Sequence, residues 1–399
     1  MIDVQKPLVS ITKADKIHDF DSVDEAVRKS VALAGGLESL VVRGDLVLIK
    51  PNVLYKLDYK TGAITNPNVV RSLIRMVKEA GAKKVVIAES SIIGCDTAEA
   101  FKESGYDKLA EEENVELIDL KKADTVYIGI PNGKMFRRLE IPEIILKADV
   151  LINVPVMKTH DITPATLGLK NMKGVIKDQD KKRFHILGVG QSIVDLNKVV
   201  LPHLTVIDAT VGMEGVGPLD GEPVNLGLII SSFDTVAADT VGLSVMGIDS
   251  KEVNYMHLAE EQGLGCNNLS KIDVVGKTIA EVKHPFKVVK VDFKEFEKKY
   301  GIRIVESGAC SGCRHMVSAL IAYYIKGNIE ALKDCTIIFG QNVKIPSNVK
   351  GKLICLGACT KKYRDQGEYV AGCPPFQEHM VKLHLGVPYV TKYPTGHLD

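Results

Sequence analysis

Cysteines with the spacing of metal ligands are concentrated in the last hundred residues of the chain. Cys310 and Cys313 form the pair CSGC, Cys359 ends the segment KLICLGAC, and Cys373 lies in AGCPP. The pair opens a predicted helix, where free backbone N–H groups and the helix dipole favour thiolates. Four thiolates supplied by loops at one edge of a sheet could surround an iron–sulfur cube. These four cysteines are therefore candidate ligands of a metal centre.

The same cysteines allow other interpretations. A structural zinc site usually pairs two C-x₂-C motifs, whereas this chain contains one. A redox dithiol would use Cys310 and Cys313 alone and would leave the other two cysteines unexplained. Cys335 and Cys355 begin or lie within apolar strands, so we expect them to be core thiols.

The order of the three cysteine motifs resembles a known set. C-x-G-C, G-x-C and G-C-P-P, in that order, are similar to the proximal [4Fe–4S] motifs of nickel–iron hydrogenase small subunits and related complex I subunits. The resemblance implies that Cys310, Cys313, Cys359 and Cys373 are the four ligands of a [4Fe–4S] cluster. Nothing in the sequence resembles the nickel site of the large subunit, so the resemblance implies a cluster and not hydrogenase activity.

A second set of polar residues follows predicted strands in the first part of the chain. Lys50 ends the run DLVLIK and Asn52 follows it, while Lys158, Thr159 and His160 follow VLINVPVM. The segments LGLKNMKGVI and DKKRFH add Lys170, Asn171, Lys173, Arg183 and His185. Because the carboxyl ends of parallel strands share one edge of a sheet, we expect these side chains to converge. Together they are suited to binding a carboxylate or a phosphate.

Two histidines and two carboxylates are the candidate catalytic groups. His160 or His185 could donate a proton, because imidazole titrates near neutral pH. Glu89 and Asp208 lie at the ends of the apolar runs KKVVIAE and LTVID, so we expect both on the same edge. Each could be a general base, a metal ligand or a salt-bridge partner of a lysine, and the last role is the commonest. The chain has no nucleotide-binding fingerprint, so the identity of a ligand here stays open.

Alternating strands and helices are predicted to position these residues. The predicted strands are at 45–50, 83–90, 115–120 and 148–160, and helices are predicted within 66–82 and in AEAFKESGYDKLAEE. After the strand at 148–160, a Gly/Lys-rich loop is predicted as far as about residue 190. This alternation predicts an α/β fold, with a mainly parallel sheet and flanking helices.

A change in composition near residue 290 predicts a domain boundary. The charged segment KVVKVDFKEFEKKY separates a large α/β anion-binding domain, 1–290, from a small C-terminal α/β iron–sulfur domain, 300–399. In the small domain we predict a helix at 310–327, strands at 335–340 and 352–359, and a terminal helix at 374–386. The small domain has an ordinary size for an independent domain.

Composition excludes several classes of function. Lys and Arg total 51 against 50 Asp and Glu, which gives a net charge of +1 and argues against nucleic acid as a partner. No apolar run approaches the roughly 18 residues of a spanning helix, so no membrane is expected. The first residues lack a secretory pattern, and eight cysteines in a cytoplasmic chain are not expected to form a disulfide framework. We therefore expect a cytoplasmic protein, as a monomer or a homo-oligomer.

Several motifs of the larger domain together resemble the family called domain of unknown function 362. They are IKPN, TNPNVV, the AES strand end, VPVMKTH, LGLKNMKGVI, KRFH and IDATVGMEGVGP, between about residues 40 and 265. Members often carry, or are fused to, iron–sulfur segments, which agrees with the C-terminal cysteines. The cysteine spacing here is not the ferredoxin pattern, so the resemblance does not imply ferredoxin-like electron handling.

These observations predict an iron–sulfur protein of redox metabolism, an oxidoreductase. Its large domain would bind a small anionic substrate or cofactor, and its C-terminal [4Fe–4S] cluster would pass electrons, with a redox partner protein as one source or acceptor. One alternative is a non-redox transferase or ligase that acts on an anionic metabolite and has a structural cluster. The other is a non-enzymatic electron carrier or partner protein.

Overall fold

The computed structural model describes residues 6–160, 163–289, 292–326 and 334–375. The helix predicted at 374–386 extends past residue 375 and so lies outside the described residues. The chain divides into two compact units. The first unit contains Met1–Phe184 and Val189–Val288, and the second contains His185–Gly188 and Val289–Asp399.

The first unit is built from alternating strands and helices. Its strands are β1 (Leu8–Lys13), β2 (Leu46–Pro51), β3 (Lys84–Glu89), β4 (Glu116–Asp119), β5 (Thr125–Gly129), β6 (Arg138–Pro142), β7 (Val150–Val154), β8 (Val156–Thr159), β9 (Ala165–Thr166), β10 (Leu204–Glu214), β11 (Glu222–Ser232) and β12 (Asp273–Gly276). Its helices are α1 (Phe20–Ala34), α2 (Pro67–Glu79), α3 (Thr97–Glu103), α4 (Tyr106–Glu112), α5 (Glu143–Lys147), α6 (Gly168–Asn171), α7 (Asp178–Leu187), α8 (Val189–Val200), α9 (Thr235–Val245), α10 (Asn254–Glu261) and α11 (Ile279–Val282).

One large sheet organises this unit. Its strand order is β12-β1-β11-β10-β7-β2-β3-β4, with β8 beside β10 and β9 beside β8. The run β10-β7-β2-β3-β4 pairs in parallel throughout, and the antiparallel pairs are β1 with β11, β10 with β11, and β8 with β9. The strands β5 and β6 form a separate antiparallel hairpin. The predicted α/β fold, with a mainly parallel sheet and flanking helices, is confirmed.

The apolar strands predicted from the sequence are buried on both faces of this sheet. In β2, Val47 and Ile49 pack into the core that contains α1 and α2, whereas Leu48 packs into the core on the opposite face with Phe136 and Phe184. This alternation follows from the two-residue period of a strand. Strands covered by helices on both faces read as continuous apolar runs, which is why they could be recognised.

Two predicted elements differ from the structure. The segment predicted as one strand at 148–160 is two strands, β7 and β8, which pair with β10 at different points and are separated by Pro155. The loop predicted as far as residue 190 is wrong, because this stretch contains α6 and α7. The buried face of α7 carries Asp180, Lys181 and Phe184, so its helical period is hidden when only apolar residues are counted.

The second unit is a smaller α/β assembly. Its elements are α12 (Phe293–Tyr300), β13 (Arg303–Glu306), α13 (Ser311–Lys326), β14 (Cys335–Phe339), β15 (Lys352–Leu356) and β16 (Glu368–Val370). The four strands pair in parallel in the order β13-β14-β15-β16. Their carboxyl ends therefore share one edge, and the turns that follow β15 and β16 lie at that edge.

Among the described residues, no helix is both long enough and apolar enough to cross a membrane.

Candidate functional site

A buried ion pair joins the carboxyl ends of β2 and β3. Lys50 Nζ lies 2.9 Å from Glu89 Oε2, and both side chains are buried. Lys50 also donates to the carbonyl oxygen of Pro51 at 3.0 Å, and Glu89 accepts from the backbone N–H of Val53 at 3.1 Å and of Ser90 at 2.7 Å. Burial lowers the pKa of Lys50, and the negative charge of Glu89 opposes that shift. The pair is thus a hydrogen-bonded ion pair away from solvent.

The backbone of Gly174 packs directly against this ion pair. A Cβ atom at Gly174 would overlap both Glu89 Oε1 and Lys50 Nζ. The carbonyl oxygen of Gly174 accepts a hydrogen bond from the backbone N–H of Ser90 at 2.8 Å. Glycine is required here by this close approach and not by its backbone angles.

Lys158 in β8 is a second buried lysine at this edge. Its Nζ donates to Asn52 Oδ1 at 2.5 Å and to the carbonyl oxygen of Ala63 at 2.6 Å. Burial lowers the pKa of Lys158 to about 7, although the charge of Glu89 acts in the opposite direction. The structure therefore brings together three residues predicted from strand ends: Lys50, Asn52 and Lys158.

Lys181 in α7 was not predicted as a site residue. Its Nζ donates to Ser90 O and Ser90 Oγ, both at 2.6 Å, and to Ser91 O at 2.5 Å. Burial lowers the pKa of Lys181 to about 7, and Glu89 and Lys173 are among the charges that act on it. A usable signal was Phe184, three residues further on, because it lies on the same buried helix face.

Lys173 completes what we call the lysine site, which consists of Glu89 and the four lysines Lys50, Lys158, Lys173 and Lys181. Lys173 is partly exposed as a residue, but burial of its side chain lowers the pKa of its ammonium to about 7. Glu89 pairs directly with Lys50, and its charge acts on Lys158 and Lys181. Lys173 joins the group through its charge, which acts on Lys181.

Two buried asparagines lie beside the lysine site. Asn171 Nδ2 donates to Asn153 Oδ1 at 2.7 Å and to the carbonyl oxygen of Pro51 at 3.4 Å. Asn153 Nδ2 in turn donates to the carbonyl oxygen of Gly168 at 3.0 Å. The Asn171 Oδ1 atom is buried and has no hydrogen-bond donor among the described residues. Asn153 was not predicted as a site residue, because it lies inside an apolar strand and not at the strand's end, where site residues are expected.

Asp239 holds the short helix α6 in place. Asp239 Oδ1 accepts from the backbone N–H of Gly168 at 2.6 Å, and Oδ2 accepts from that of Leu169 at 2.9 Å. Burial raises the pKa of Asp239 to about 7, despite these two hydrogen bonds. Since α6 carries Lys170 and Asn171, this carboxylate positions two of the predicted residues.

Other predicted binding residues have local partners. Lys170 is buried, and its Nζ donates to Thr166 Oγ1 at 3.0 Å. Thr159 Oγ1 donates to the carbonyl oxygen of Gly215 at 2.9 Å. Arg183 forms an ion pair with Asp180 at 2.7 Å and is half exposed. These contacts stabilise the surroundings, and none of them joins the lysine site directly.

The two predicted carboxylates have different environments. Glu89 is the salt-bridge partner of Lys50, whereas Asp208 accepts hydrogen bonds from backbone N–H groups and a hydroxyl. Asp208 accepts from the backbone N–H of Asn66 at 2.7 Å and from Thr210 Oγ1 at 2.7 Å. Burial raises the pKa of Asp208 to about 6. A general-base role for either carboxylate stays a prediction.

The two predicted histidines belong to different units. His160 follows β8 in the first unit, is partly buried, and its backbone N–H lies 3.4 Å from the carbonyl oxygen of Pro164. His185 belongs to the second unit, where its Nδ1 lies 2.8 Å from Ser311 Oγ. A role as proton donor therefore stays a prediction for each histidine by itself.

The four predicted cysteine ligands lie near one another in the second unit. Cys310 and Cys313 are at the start of α13, Cys359 lies in the turn after β15, and Cys373 follows β16. A hydrogen bond with the Cys313 thiol lowers the pKa of Cys310 to about 6. That bond, burial, and negative charge on Cys310, Cys359 and Cys373 raise the pKa of Cys313. The four thiols are thus within electrostatic reach of each other.

Backbone contacts join the turns that carry these cysteines. The N–H of Gly357 donates to Val370 O at 2.9 Å, and that of Ala358 donates to Gly372 O at 2.8 Å. A Cβ atom at Gly357 would lie 3.3 Å from Cys313 Sγ, so the turn after β15 also contacts the start of α13. In the part of the chain that the structure describes, no group of three or more His, Cys, Asp or Glu residues is arranged to hold a metal ion.

The fold and the lysine site define an α/β domain with a polar, cationic site at the carboxyl edge of a parallel sheet. Residues 47–244, which include the whole lysine site, match the model of the family described as domain of unknown function (DUF362). This match confirms the predicted resemblance to that family over these residues.

Two known proteins are similar to parts of this chain. The thylakoid-associated protein sll1697 of Synechocystis sp. is 28% identical over 253 residues, which cover 62% of this chain and 77% of that protein. A structure of the lactate racemase apoprotein from Thermoanaerobacterium thermosaccharolyticum aligns with a TM-score of 0.40 and 16% identity. That alignment covers 61% of this chain and 58% of the racemase chain.

Proposed function

We propose that this chain is an iron–sulfur protein of redox metabolism. Its first unit binds a small anionic substrate or cofactor at the lysine site, and its second unit carries a [4Fe–4S] cluster on Cys310, Cys313, Cys359 and Cys373. The single observation that carries the cluster is the approach of four thiols from three turns of one small parallel sheet. A cytoplasmic location belongs to the same proposal.

The charges of the lysine site support anion binding. The site contains four lysines and one carboxylate, Glu89, so when fully protonated it has an excess of positive charge. Burial lowers the pKa of these lysines and favours their neutral forms. An anion bound nearby would oppose that effect and restore the ammonium forms. Such a site gains free energy by binding a carboxylate or a phosphate.

The geometry of the second unit is compatible with a four-iron cluster. Each thiolate of such a cluster binds a different iron, so the four sulfur atoms need not meet around one point as the ligands of a zinc ion must. Cys310 and Cys313 lie at the amino end of α13, where backbone N–H groups stabilise thiolates. When bound, a [4Fe–4S] cluster supplies one-electron transfer.

Cluster content tests this proposal directly. We expect protein purified without oxygen to be brown, to contain about four irons per chain and to lose visible absorbance on reduction. Cys359→Ser and Cys373→Ser should each lower the iron content and change the electron paramagnetic resonance spectrum, because each removes one ligand. Iron and sulfide analysis together with spectroscopy provide the measurement.

The control is Cys266→Ser, which replaces a partly exposed cysteine of the first unit and should leave the iron content unchanged. Wild-type protein that stays colourless after anaerobic treatment with iron and sulfide would sink the cluster proposal. If the Cys359 and Cys373 variants contain as much iron as the wild type, the ligands of the cluster are other residues.

The lysine site favours an enzyme over a plain electron carrier, since a carrier has no need of several lysines grouped near a buried carboxylate. A non-redox transferase or ligase with a structural cluster uses the same site. It differs in one respect: its activity would not change when the redox state of the cluster changes.

A further inference from the structure

The lysines differ in how many of their N–H groups are already used. An ammonium group has three N–H groups. Those of Lys181 have three acceptors, namely Ser90 O, Ser90 Oγ and Ser91 O. Lys158 and Lys50 have two acceptors each among the described residues. Lys181 is therefore a structural clamp, whereas Lys50 and Lys158, when protonated, each have one N–H without an acceptor among the described residues.

Asn171 provides a group of the opposite kind. Its side chain is 3% exposed, both of its described hydrogen bonds are donated by Nδ2, and its Oδ1 accepts none from the described residues. A buried carbonyl oxygen without a donor is costly, and such groups usually bind water or a ligand. The site thus contains a buried acceptor, Asn171 Oδ1, to which an O–H or N–H group of a ligand could donate.

These donors and this acceptor lie at the same strand end. Lys50 Nζ and Asn171 Nδ2 both donate to the carbonyl oxygen of Pro51, the last residue of β2. The next residue, Asn52, accepts from Lys158 Nζ through its side chain. Asn52 is partly exposed, so this strand end is also reached by solvent.

We propose that the lysine site takes a small hydroxycarboxylate, an inference that rests on the anion-binding function proposed above. The carboxylate accepts from Lys50 and Lys158, and the neighbouring hydroxyl donates to Asn171 Oδ1. An amino acid offers the same N–H donor geometry, but its ammonium would add a positive charge beside four lysines. The site is therefore matched to a hydroxyl in preference to an ammonium group.

Binding of three small probes to the full chain tests this inference. Glycolate and acetate differ by one hydroxyl, and glycine replaces that hydroxyl with an ammonium. We expect glycolate to bind about tenfold more tightly than acetate in calorimetric titrations, and glycine to bind more weakly than glycolate. The Asn171→Leu variant should lower glycolate affinity to that of acetate and leave acetate affinity nearly unchanged.

Asn197→Leu is the matched control. Asn197 is also a buried amide whose Oδ1 has no partner among the described residues. Its Nδ2 donates to the carbonyl oxygens of Leu169 in α6 and Ile193 in α8, neither of which belongs to the lysine site. This variant should keep the preference for glycolate. Equal binding of glycolate and acetate by the wild type, or loss of the preference in Asn197→Leu as well, would overturn the inference. If neither of these nor inorganic phosphate binds, the anion-binding function itself fails.

Discussion

Lys158 shows how its surroundings convert an ordinary lysine into a group that titrates near neutral pH. Its ammonium is removed from water, and its acceptors among the described residues are two neutral groups, Asn52 Oδ1 and Ala63 O. Neutral acceptors compensate incompletely for lost hydration, so burial lowers the pKa to about 7. The same group can therefore bind an anion when protonated and accept a proton when neutral.

The affinity for acetate should therefore depend on pH. Acetate stays ionised between about pH 6 and pH 8 because carboxyl groups titrate well below this range. Lys158 loses its proton across it, since its pKa is about 7, so affinity should fall roughly tenfold as the pH rises. Calorimetric titrations at both pH values provide the measurement.

Lys158→Met is the control for this pH dependence. The variant should bind acetate more weakly at about pH 6, and its affinity should change less with pH because one titrating lysine is gone. Some change should remain, because Lys173 and Lys181 still titrate nearby. An affinity of the wild type that is the same at both pH values would contradict a titrating lysine at the binding site.

At this scale the sequence predicted the residues that end apolar strands. Lys50 and Lys158 could be found because a lysine directly after a buried run has little surface available to it. Lys181 could not, because DKKRFH has the composition of a solvated helix and only the packing of α7 buries it. Glu89 and Asp208 follow similar runs, and their different partners depend on contacts across the sheet.

The turn that contains Gly174 is packed tightly against the buried Lys50–Glu89 pair. We expect Gly174→Ala to lower the free energy of unfolding by roughly 2 kcal/mol or more, because the new methyl group would overlap the buried Lys50–Glu89 pair. Urea-induced unfolding of the variant and the wild type measures this difference.

Gly129→Ala, at the end of β5, is the matched control. A Cβ atom there meets no atom within 4 Å, so the unfolding free energy should change by only about 0.5 kcal/mol. If Gly174→Ala is as stable as Gly129→Ala, the ion pair can move away from this turn and the proposed tight packing is wrong.

The elements were predicted where burial is apolar and missed where it is polar. The parallel strands stood out as apolar runs, whereas α6 and α7 were taken for a loop because glycines, lysines and aspartates make up much of their length. The fixing of α6 by Asp239 depends on a side chain about seventy residues further along the chain. Local sequence does not contain such a contact.

The whole molecule contains two units with separate apolar cores. The core of the second unit is formed by Ile302, Cys313, Val317, Cys335, Ile337, Phe339, Ile354, Leu356 and Val370. It includes one of the proposed cluster ligands. We therefore expect two transitions in differential scanning calorimetry, with the second unit's transition rising in temperature when iron and sulfide are bound, since a ligand of the folded state stabilises it.

Small anions provide the complementary measurement. Acetate should raise the transition of the first unit and leave the iron-sensitive transition unchanged. A single transition that moves with both ligands would show that the two units unfold together and would contradict this prediction.

The sequence indicated the division of the chain from the charged segment near residue 290, and the structure divides it at Val288 and Val289. That His185–Gly188 groups with the second unit could not be foreseen, because these residues continue a helix of the first. The proposed cluster depended on motif order, which records ligand types but not which turns approach each other.

The packing of Gly174 against Lys50 and Glu89 also limits how this protein can change over generations. Any side chain at position 174 would occupy the volume of the ion pair, while loss of either charged residue would strand the other in a dry interior. Single steps away from the present arrangement are therefore all unfavourable. The three positions lie far apart in the chain, but we expect them to be kept or replaced together.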